Sequence, residues 1–345
     1  MSRVAVITGI SGQDGSYLCE FLLKKDYPVI GVMRRSSSPN RERLHNVLKH
    51  PNLKLREADM SDTTSIRDVF QELTQYDRIE VYNLAAQSHV HTSFRQPEYT
   101  ADVDAIGPLR ILETIRALGL TQKARFYQAS TSELYGKVTE CPQKETTPFY
   151  PRSPYAVAKL YAYWIVRNYR ESYGMYACNG ILFNHESERR GEEFITRKIT
   201  LGVAQILKDP NFVLSIGNLN ARRDWGYAPD YVEGMWMMLQ QETARDYVLA
   251  TGELHTVREF IEEAFQCVGK TIVWAGEGID EKGYDAQTGR LLVQINPEFY
   301  RPCEVDLLIG DATLAREVLG WKPSVSFRDL VSRMILHDKV NSVDK

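Results

Sequence analysis

Cysteine is scarce in this chain: five residues, at 19, 141, 178, 267 and 303, with no two spaced as C-x-x-C. An odd, scattered set fits free thiols in a reducing cytosol better than a disulfide framework or a zinc site. Long apolar runs are absent, and none reaches the roughly 18 residues a membrane-spanning helix needs. An excess of one charge is also missing. The formal net charge is −3, which gives no reason to expect nucleic acid or an anionic membrane as partner. Small anionic ligands remain open, because they need only a local cluster of Arg and Lys. Neither an internal repeat nor a low-complexity tail is present. The opening residues, Met1-Ser2-Arg3-Val4-Ala5-Val6, run straight into a strand pattern and lack the form of a signal peptide. A cytoplasmic location is the expectation.

What is present is a chain of ordinary globular composition, 43% hydrophobic and 25% charged over 345 residues, long enough for one large or two modest domains. Its first half alternates short apolar runs with amphipathic stretches. Strands are predicted over Val4–Thr8, Val29–Met33, Leu53–Arg56, Ile79–Leu84, Arg125–Ala129 and Ala177–Phe183. Helices are predicted over Tyr17–Lys25, Ser65–Leu73, Leu109–Leu118 and Pro154–Tyr173. Such alternation implies right-handed crossovers and a parallel sheet covered on both faces. The expected class is α/β: a doubly wound (Rossmann) sheet over residues 1–180, followed by a smaller mixed α/β domain in 181–345. Segments within about 211–252, notably a helix at Tyr231–Gln240 and a strand at Tyr247–Ala250, are expected to return to the main sheet. A helix is expected near Arg197–Leu207, and Glu277–Arg290 reads as a polar loop.

Thr8-Gly9-Ile10-Ser11-Gly12-Gln13-Asp14-Gly15 follows the first strand and opens the first helix. Gly9, Gly12 and Gly15 allow a tight turn and close approach to a pyrophosphate, and the helix N-terminus supplies N–H groups around Gln13 and Asp14. The second strand runs into Met33-Arg34-Arg35-Ser36-Ser37-Ser38. NAD sites usually place an acidic residue there; Arg34, Arg35 and Ser36 instead suit a 2′-phosphate, so NADP is expected. Asp59, after the third strand, is expected to face the adenine. Leu84, Ala85 and Ser88, after the fourth, are expected to pass under the ribose and nicotinamide. Tyr155 and Lys159 form Y-x-x-x-K on one helix face. Ser130-Thr131-Ser132-Glu133 ends the fifth strand, where ligands of such sheets bind. His89 and His91 are too isolated to make a metal site, and no metal is expected.

Seven segments, ITGISGQDGSYL, NLAAQSHV, ASTSELYGKV, PRSPYAVAKLYAYWI, NGILFNHES, ARRDWGYAPDYVEGMW and YRPCEVD, carry a resemblance over nearly the whole chain. By them the sequence resembles the GDP-mannose 4,6-dehydratases, within the extended short-chain dehydrogenase/reductase family. Two positions depart from the pattern: Glu188 where Pro is common, and Cys303 where Thr is. The resemblance implies a catalytic set of Thr131, Glu133, Tyr155 and Lys159. It implies a sugar or phosphate contact at Asn184, with Ser88 also on the substrate, and His185 and Arg190 on the cofactor side. Lys198, Arg223 and Arg301 are the cations expected at a nucleotide diphosphate, and Glu304 the acceptor for its ribose hydroxyls. GDP-mannose as partner rests on the resemblance alone. Homodimers or homotetramers and a downstream epimerase/reductase are expected on the same ground.

The chemistry is consistent with those residues. Tyr155 would take the C4 hydroxyl proton, its ordinary pKa of about 10 lowered by Lys159 and a nicotinamide charge. Glu133 would remove the C5 proton and help expel the C6 hydroxyl, with Thr131 on the C4 oxygen. A nucleotide-sugar 4-epimerase would share the glycine loop and the Tyr/Lys pair but has no need of Glu133. A non-catalytic NADP sensor would have no need of the catalytic set.

Overall fold

The computed structural model describes residues 2–299 and 307–343. Its strands are β1 (Arg3–Thr8), β2 (Val29–Met33), β3 (Leu53–Glu57), β4 (Arg78–Asn83), β5 (Ala124–Thr131), β6 (Tyr176–Leu182), β7 (Asn184–Glu186), β8 (Leu214–Ile216), β9 (Arg222–Arg223), β10 (Trp225–Tyr227), β11 (Tyr247–Leu249), β12 (His255–Thr256), β13 (Ile272–Ala275), β14 (Lys282–Asp285), β15 (Leu291–Ile295) and β16 (Leu307–Leu308). The helices are α1 (Gln13–Lys24), α2 (Thr63–Gln71), α3 (Val90–Arg95), α4 (Pro97–Ala101), α5 (Gly107–Ala117), α6 (Pro154–Tyr173), α7 (Ile195–Lys208), α8 (Ala228–Gln240), α9 (Val257–Gln266) and α10 (Phe327–Val343).

Seven strands form the main sheet in the order β3-β2-β1-β4-β5-β6-β11. Every neighbouring pair is parallel. β1 and β2 read as unbroken apolar runs because both faces of the sheet are covered. One face packs against Leu18 and Leu22 of α1 with Tyr231 and Met235 of α8. The other packs against Phe70 of α2, Ile111 of α5 and Val166 of α6. The order reverses between β1 and β4. In doubly wound sheets that reversal opens a crevice beyond the strands' carboxyl ends.

Sequence punctuation sets α6, the helix that carries Tyr155 and Lys159. Ser153 accepts a hydrogen bond from the Ala156 N–H, Pro154 occupies the first turn, and Gly174 ends the helix at φ +62°. These are the expected start and stop signals.

Beyond β6 the chain builds smaller sheets: β10-β7, β12-β9-β16 and β13-β14-β15-β8. They surround a separate apolar core with Ile199, Trp225, Phe260 and Met334. α8 and β11 return to the main sheet region, whereas β8 joins the four-stranded sheet. The expected polar loop over 277–290 holds β14, which pairs antiparallel with β13 and β15. Its buried positions are Gly283 and Asp285, and Lys270 neutralises Asp285 at 2.6 Å. Burial without apolar side chains is why the strand reads as a loop. Among the described residues no helix is long and apolar enough to cross a membrane.

The edge strand β11 is fastened by one ion pair. Asp246 receives two bonds from Arg170 of α6, at 2.9 and 2.8 Å, and the Asn179 N–H of β6 at 2.8 Å. The Asp246 side chain is only 7% exposed. Asp246→Ala would strand a partly buried guanidinium and a backbone N–H. It should lower the unfolding free energy by about 3 kcal/mol, measured by urea denaturation; a loss below about 0.5 kcal/mol would contradict this.

Candidate active site

The carboxyl ends of β1, β4, β5 and β6 open into a single crevice of about 880 Å³. At its floor a buried polar line crosses three strands. Thr8 Oγ1 donates to Asn83 Oδ1 at 2.6 Å, and Asn83 Nδ2 donates to Gln128 Oε1 at 2.8 Å. Gln128 Nε2 and the Lys159 ammonium then both donate to the Ala129 carbonyl, each at 3.0 Å. Thr8 Oγ1 also accepts from the Leu84 and Ala85 N–H groups, at 3.1 and 3.2 Å. None of Thr8, Asn83 and Gln128 stands out in the sequence as a site residue. The available signal is a polar residue at the end of an otherwise apolar strand.

The glycine loop sits on this floor. Gly9 has φ +67°, and a Cβ there would lie 2.9 Å from the Ala85 backbone. A Cβ on Gly15 would lie 2.4 Å from the Gly9 carbonyl oxygen. Gly12 begins α1 with no side-chain cap, so the first-turn N–H groups keep their capacity for an anionic ligand. Across from them, Gln13 Nε2 donates to the His185 carbonyl at 3.1 Å, and Ser187 Oγ donates to Gln13 Oε1 at 2.8 Å.

The crevice lining includes Gly9, Gly12, Gln13, Asp14, Gly15, Arg34, Ser36, Asp59, Leu84, Ala85, Ser88, Thr131, Glu133, Tyr155, Lys159, Asn184, His185 and Arg190. Arg35 is not in the lining and its side chain is exposed. Arg34 and Ser36, exposed as well, are on the lining, so of the two arginines expected at the cofactor only Arg34 borders the crevice. Arg43 also lines it. Its Nε donates to the Arg189 carbonyl at 2.8 Å. Lys198 and Arg223 also lie off the crevice lining. Lys198 Nζ sits 3.3 Å from the Phe299 ring centroid, and buried Arg223 donates to the Arg222 carbonyl at 2.8 Å. Arg301 and Glu304 fall outside the described residues. Glu188 accepts from the Tyr17 hydroxyl at 2.9 Å.

Thr131 ends β5 and accepts the Glu133 N–H at 3.2 Å, which turns Glu133 into the crevice. Tyr155 is 8% exposed and Lys159 3%. Lys159 Nζ lies 5.8 Å from the Tyr155 ring centroid. Burial, then the Asp104 carboxyl, push the Tyr155 hydroxyl above its ordinary value, against a hydrogen bond from Thr131. In the protein alone, therefore, Lys159 does not bring Tyr155 down as expected. Burial likewise depresses Lys159 itself, opposed by Asp104 and Asp14. His185 binds the Phe183 carbonyl and Asp14 Oδ2, both at 2.8 Å, and stacks on Tyr231 at 4.7 Å. Burial works against its charge, but Asp14 outweighs that and holds the imidazole above its ordinary value. Both ring nitrogens are thus engaged within the protein. Arg190 pairs with Glu186 at 3.0 Å and covers the Phe194 ring at 3.7 Å.

The profile of the GDP-mannose 4,6 dehydratase family matches residues 6–334. The chain is 57% identical over 342 residues to a GDP-mannose 4,6 dehydratase from Drosophila melanogaster, covering 97% of this chain and 86% of that one. It is 55% identical to the one from Homo sapiens, covering 97% and 91%. A solved dTDP-glucose 4,6-dehydratase from Streptomyces venezuelae, with NAD bound, superposes with a TM-score of 0.81 at 23% identity, covering 98% and 97% of the two chains. That structural likeness speaks to the fold alone. The family match and the two relatives, spanning nearly the whole chain, establish that it belongs to the GDP-mannose 4,6-dehydratase family.

Proposed function

We propose that this enzyme converts GDP-mannose to GDP-4-keto-6-deoxymannose, with NADP as its bound cofactor. The observation that carries the reading is the convergence of Thr131, Glu133, Tyr155 and Lys159 on one crevice with the glycine loop. A carboxylate beside the Tyr/Lys pair adds elimination to redox chemistry. The glycine loop with Arg34, Ser36 and Arg43 would hold NADP, which would supply a hydride acceptor for C4, a hydride source for C6 and a positive ring charge. Tyr155 takes the C4 hydroxyl proton. Its burial opposes the phenolate even with Lys159 present, so the positive charge that favours it would come from the nicotinamide ring. Thr131 hydrogen-bonds the C4 oxygen. The C4 ketone acidifies C5, and Glu133 removes that proton and delivers one to the departing C6 hydroxyl, which leaves as water. A proton returned to C5 completes the product.

NADP rather than NAD is supported by Arg34, Ser36 and Arg43 in the lining and by the lack of an acidic residue at the end of β2. The nucleotide end of the substrate we assign to the side of the small domain. Val157, Tyr161 and Trp164 are 55%, 41% and 52% exposed on the outer face of α6. An apolar stripe of that kind supports a homodimer or homotetramer. Cys19, Cys141, Cys178 and Cys267 are free thiols, which supports a cytoplasmic setting. The 4-keto product suits a downstream epimerase/reductase.

Incubation with GDP-mannose should give a product lighter by one water, read by mass spectrometry. An isobaric product would indicate an epimerase, and no change a sensor. Tyr155→Phe should lower kcat by at least about 100-fold while leaving cofactor and substrate affinity near wild type. Glu133→Gln should still oxidise C4, seen as bound NADPH absorbance, and stall before water loss; normal dehydration by this variant would remove Glu133 from the elimination. Arg34→Ala should weaken NADP about tenfold or more relative to NAD, with Arg35→Ala changing the ratio little. Equal losses for both cofactors would contradict the 2′-phosphate reading.

A further inference from the structure

Gln13, Ser16, Tyr17 and Glu20 of α1 stand at the i, i+3, i+4 and i+7 spacing that puts side chains on one helix face. The chain just after β7, Ser187 to Arg189, lies along that face. Ser187 Oγ donates to Gln13 Oε1 at 2.8 Å. The Tyr17 hydroxyl donates at 2.9 Å to Glu188, the residue standing where Pro is common. Arg189 reaches furthest. Its guanidinium donates to Glu20 Oε1 at 2.7 Å and to Ser16 Oγ at 3.0 Å, and it covers the Tyr17 ring at 4.1 Å. The Arg189 and Glu20 side chains are 18% and 17% exposed, so the pair is more sheltered than the surface ion pairs that contribute nothing.

Ser16, Tyr17 and Glu20 lie off the crevice lining, yet what they hold bears on it. The Arg189 carbonyl accepts from Arg43 Nε at 2.8 Å. Arg43 Nη1 also donates to the Ser11 carbonyl in the glycine loop at 3.4 Å. Arg43 borders the crevice and comes from the stretch after β2, where Arg41 and Glu42 beside it are exposed. A long side chain on such a stretch loses rotamer entropy when it is fixed, so its aim depends on the acceptors that hold it. Both bonds go to neutral carbonyls, which orient a guanidinium without cancelling its charge. One of these carbonyls belongs to the glycine loop, and the other is anchored on α1 by the Arg189 side chain.

We propose that Arg189 and Glu20 are positioning residues for cofactor choice: their ion pair on α1, outside the crevice, fixes the Arg189 carbonyl that orients Arg43 for the 2′-phosphate of NADP. This rests on the reading of Arg43 as part of the 2′-phosphate site. The Arg189 N–H is also held, by Ser187 Oγ at 3.0 Å. The backbone therefore keeps part of its anchorage when the ion pair is lost, and the expected effect is partial.

The measurement is the ratio of the dissociation constants for NADP and NAD, from cofactor titrations of the protein without substrate. Arg189 itself borders the crevice, so Glu20 is the cleaner position to change. Glu20→Ala should weaken NADP at least about threefold relative to NAD; a merely structural role would weaken both alike. Because Glu20 acts through Arg43, adding Glu20→Ala to Arg43→Ala should leave the ratio where Arg43→Ala alone puts it. Should Glu20→Ala not fold, Glu20→Leu removes the same charge while keeping the volume and serves both comparisons. An unchanged ratio in the Glu20 variant, or the same shift with and without Arg43, would overturn the proposal. Arg43→Ala alone tells the failures apart. If it leaves the ratio unchanged, the 2′-phosphate reading of Arg43 falls and the proposal with it. If it lowers the preference for NADP while Glu20→Ala does not, only the role of the ion pair falls.

Discussion

The Lys159 ammonium is bound to the Ala129 carbonyl at 3.0 Å inside the protein, and much of the site depends on that one bond. A buried ammonium must be hydrogen-bonded and opposed by charge. Here the partner carbonyl belongs to the last residues of β5, so the bond fixes α6 against that strand. It also closes the polar line through Gln128 and Asn83 to Thr8. Thr8 in turn anchors the first residues after β4 beside the glycine loop. The nucleotide-binding turn and the catalytic helix are therefore held in one frame, although they are far apart in sequence.

That frame buries Tyr155 and Lys159, and burial acts in two directions. It strengthens charges placed beside that pair, which suits a reaction that moves a hydride and several protons. It also disfavours charge on Tyr155 and on Lys159 when they stand alone. In the proposed mechanism, positive charge introduced with the cofactor shifts that balance toward the phenolate. Glu133 stands apart from this control. It is held at the end of β5 through the Thr131 side chain, at the mouth side of the same strand.

Much of this frame was legible in the sequence, for physical reasons. The buried runs Val4–Ile7 and Val29–Met33 are apolar, and α6 has its boundaries written in Ser153, Pro154 and Gly174. The glycine spacing located the nucleotide turn. Three kinds of information were not legible. Which of Arg34, Arg35 and Arg43 borders the crevice depends on the path the chain takes after β2, not on composition. β14 was hidden because its buried positions are glycine and a neutralised aspartate. The buried polar residues Thr8, Asn83, Gln128 and Asp104 read as ordinary surface choices, because their partners come from elements distant along the chain. Lys198 and Arg223, read as ligand cations, lie off the crevice lining, beside the Phe299 ring and the Arg222 carbonyl respectively.

The central claim is that oxidation, elimination and reduction occur on one sugar within one crevice, with Tyr155 and Glu133 dividing the proton transfers. The most direct measurement follows isotopes through a single turnover with GDP-mannose carrying deuterium at C4, in the presence of free unlabelled NADPH. The account predicts product with that deuterium at C6 of the same molecule. With unlabelled substrate in deuterated water, it predicts deuterium at C5. Loss of the C4 label to free cofactor or to solvent would contradict it.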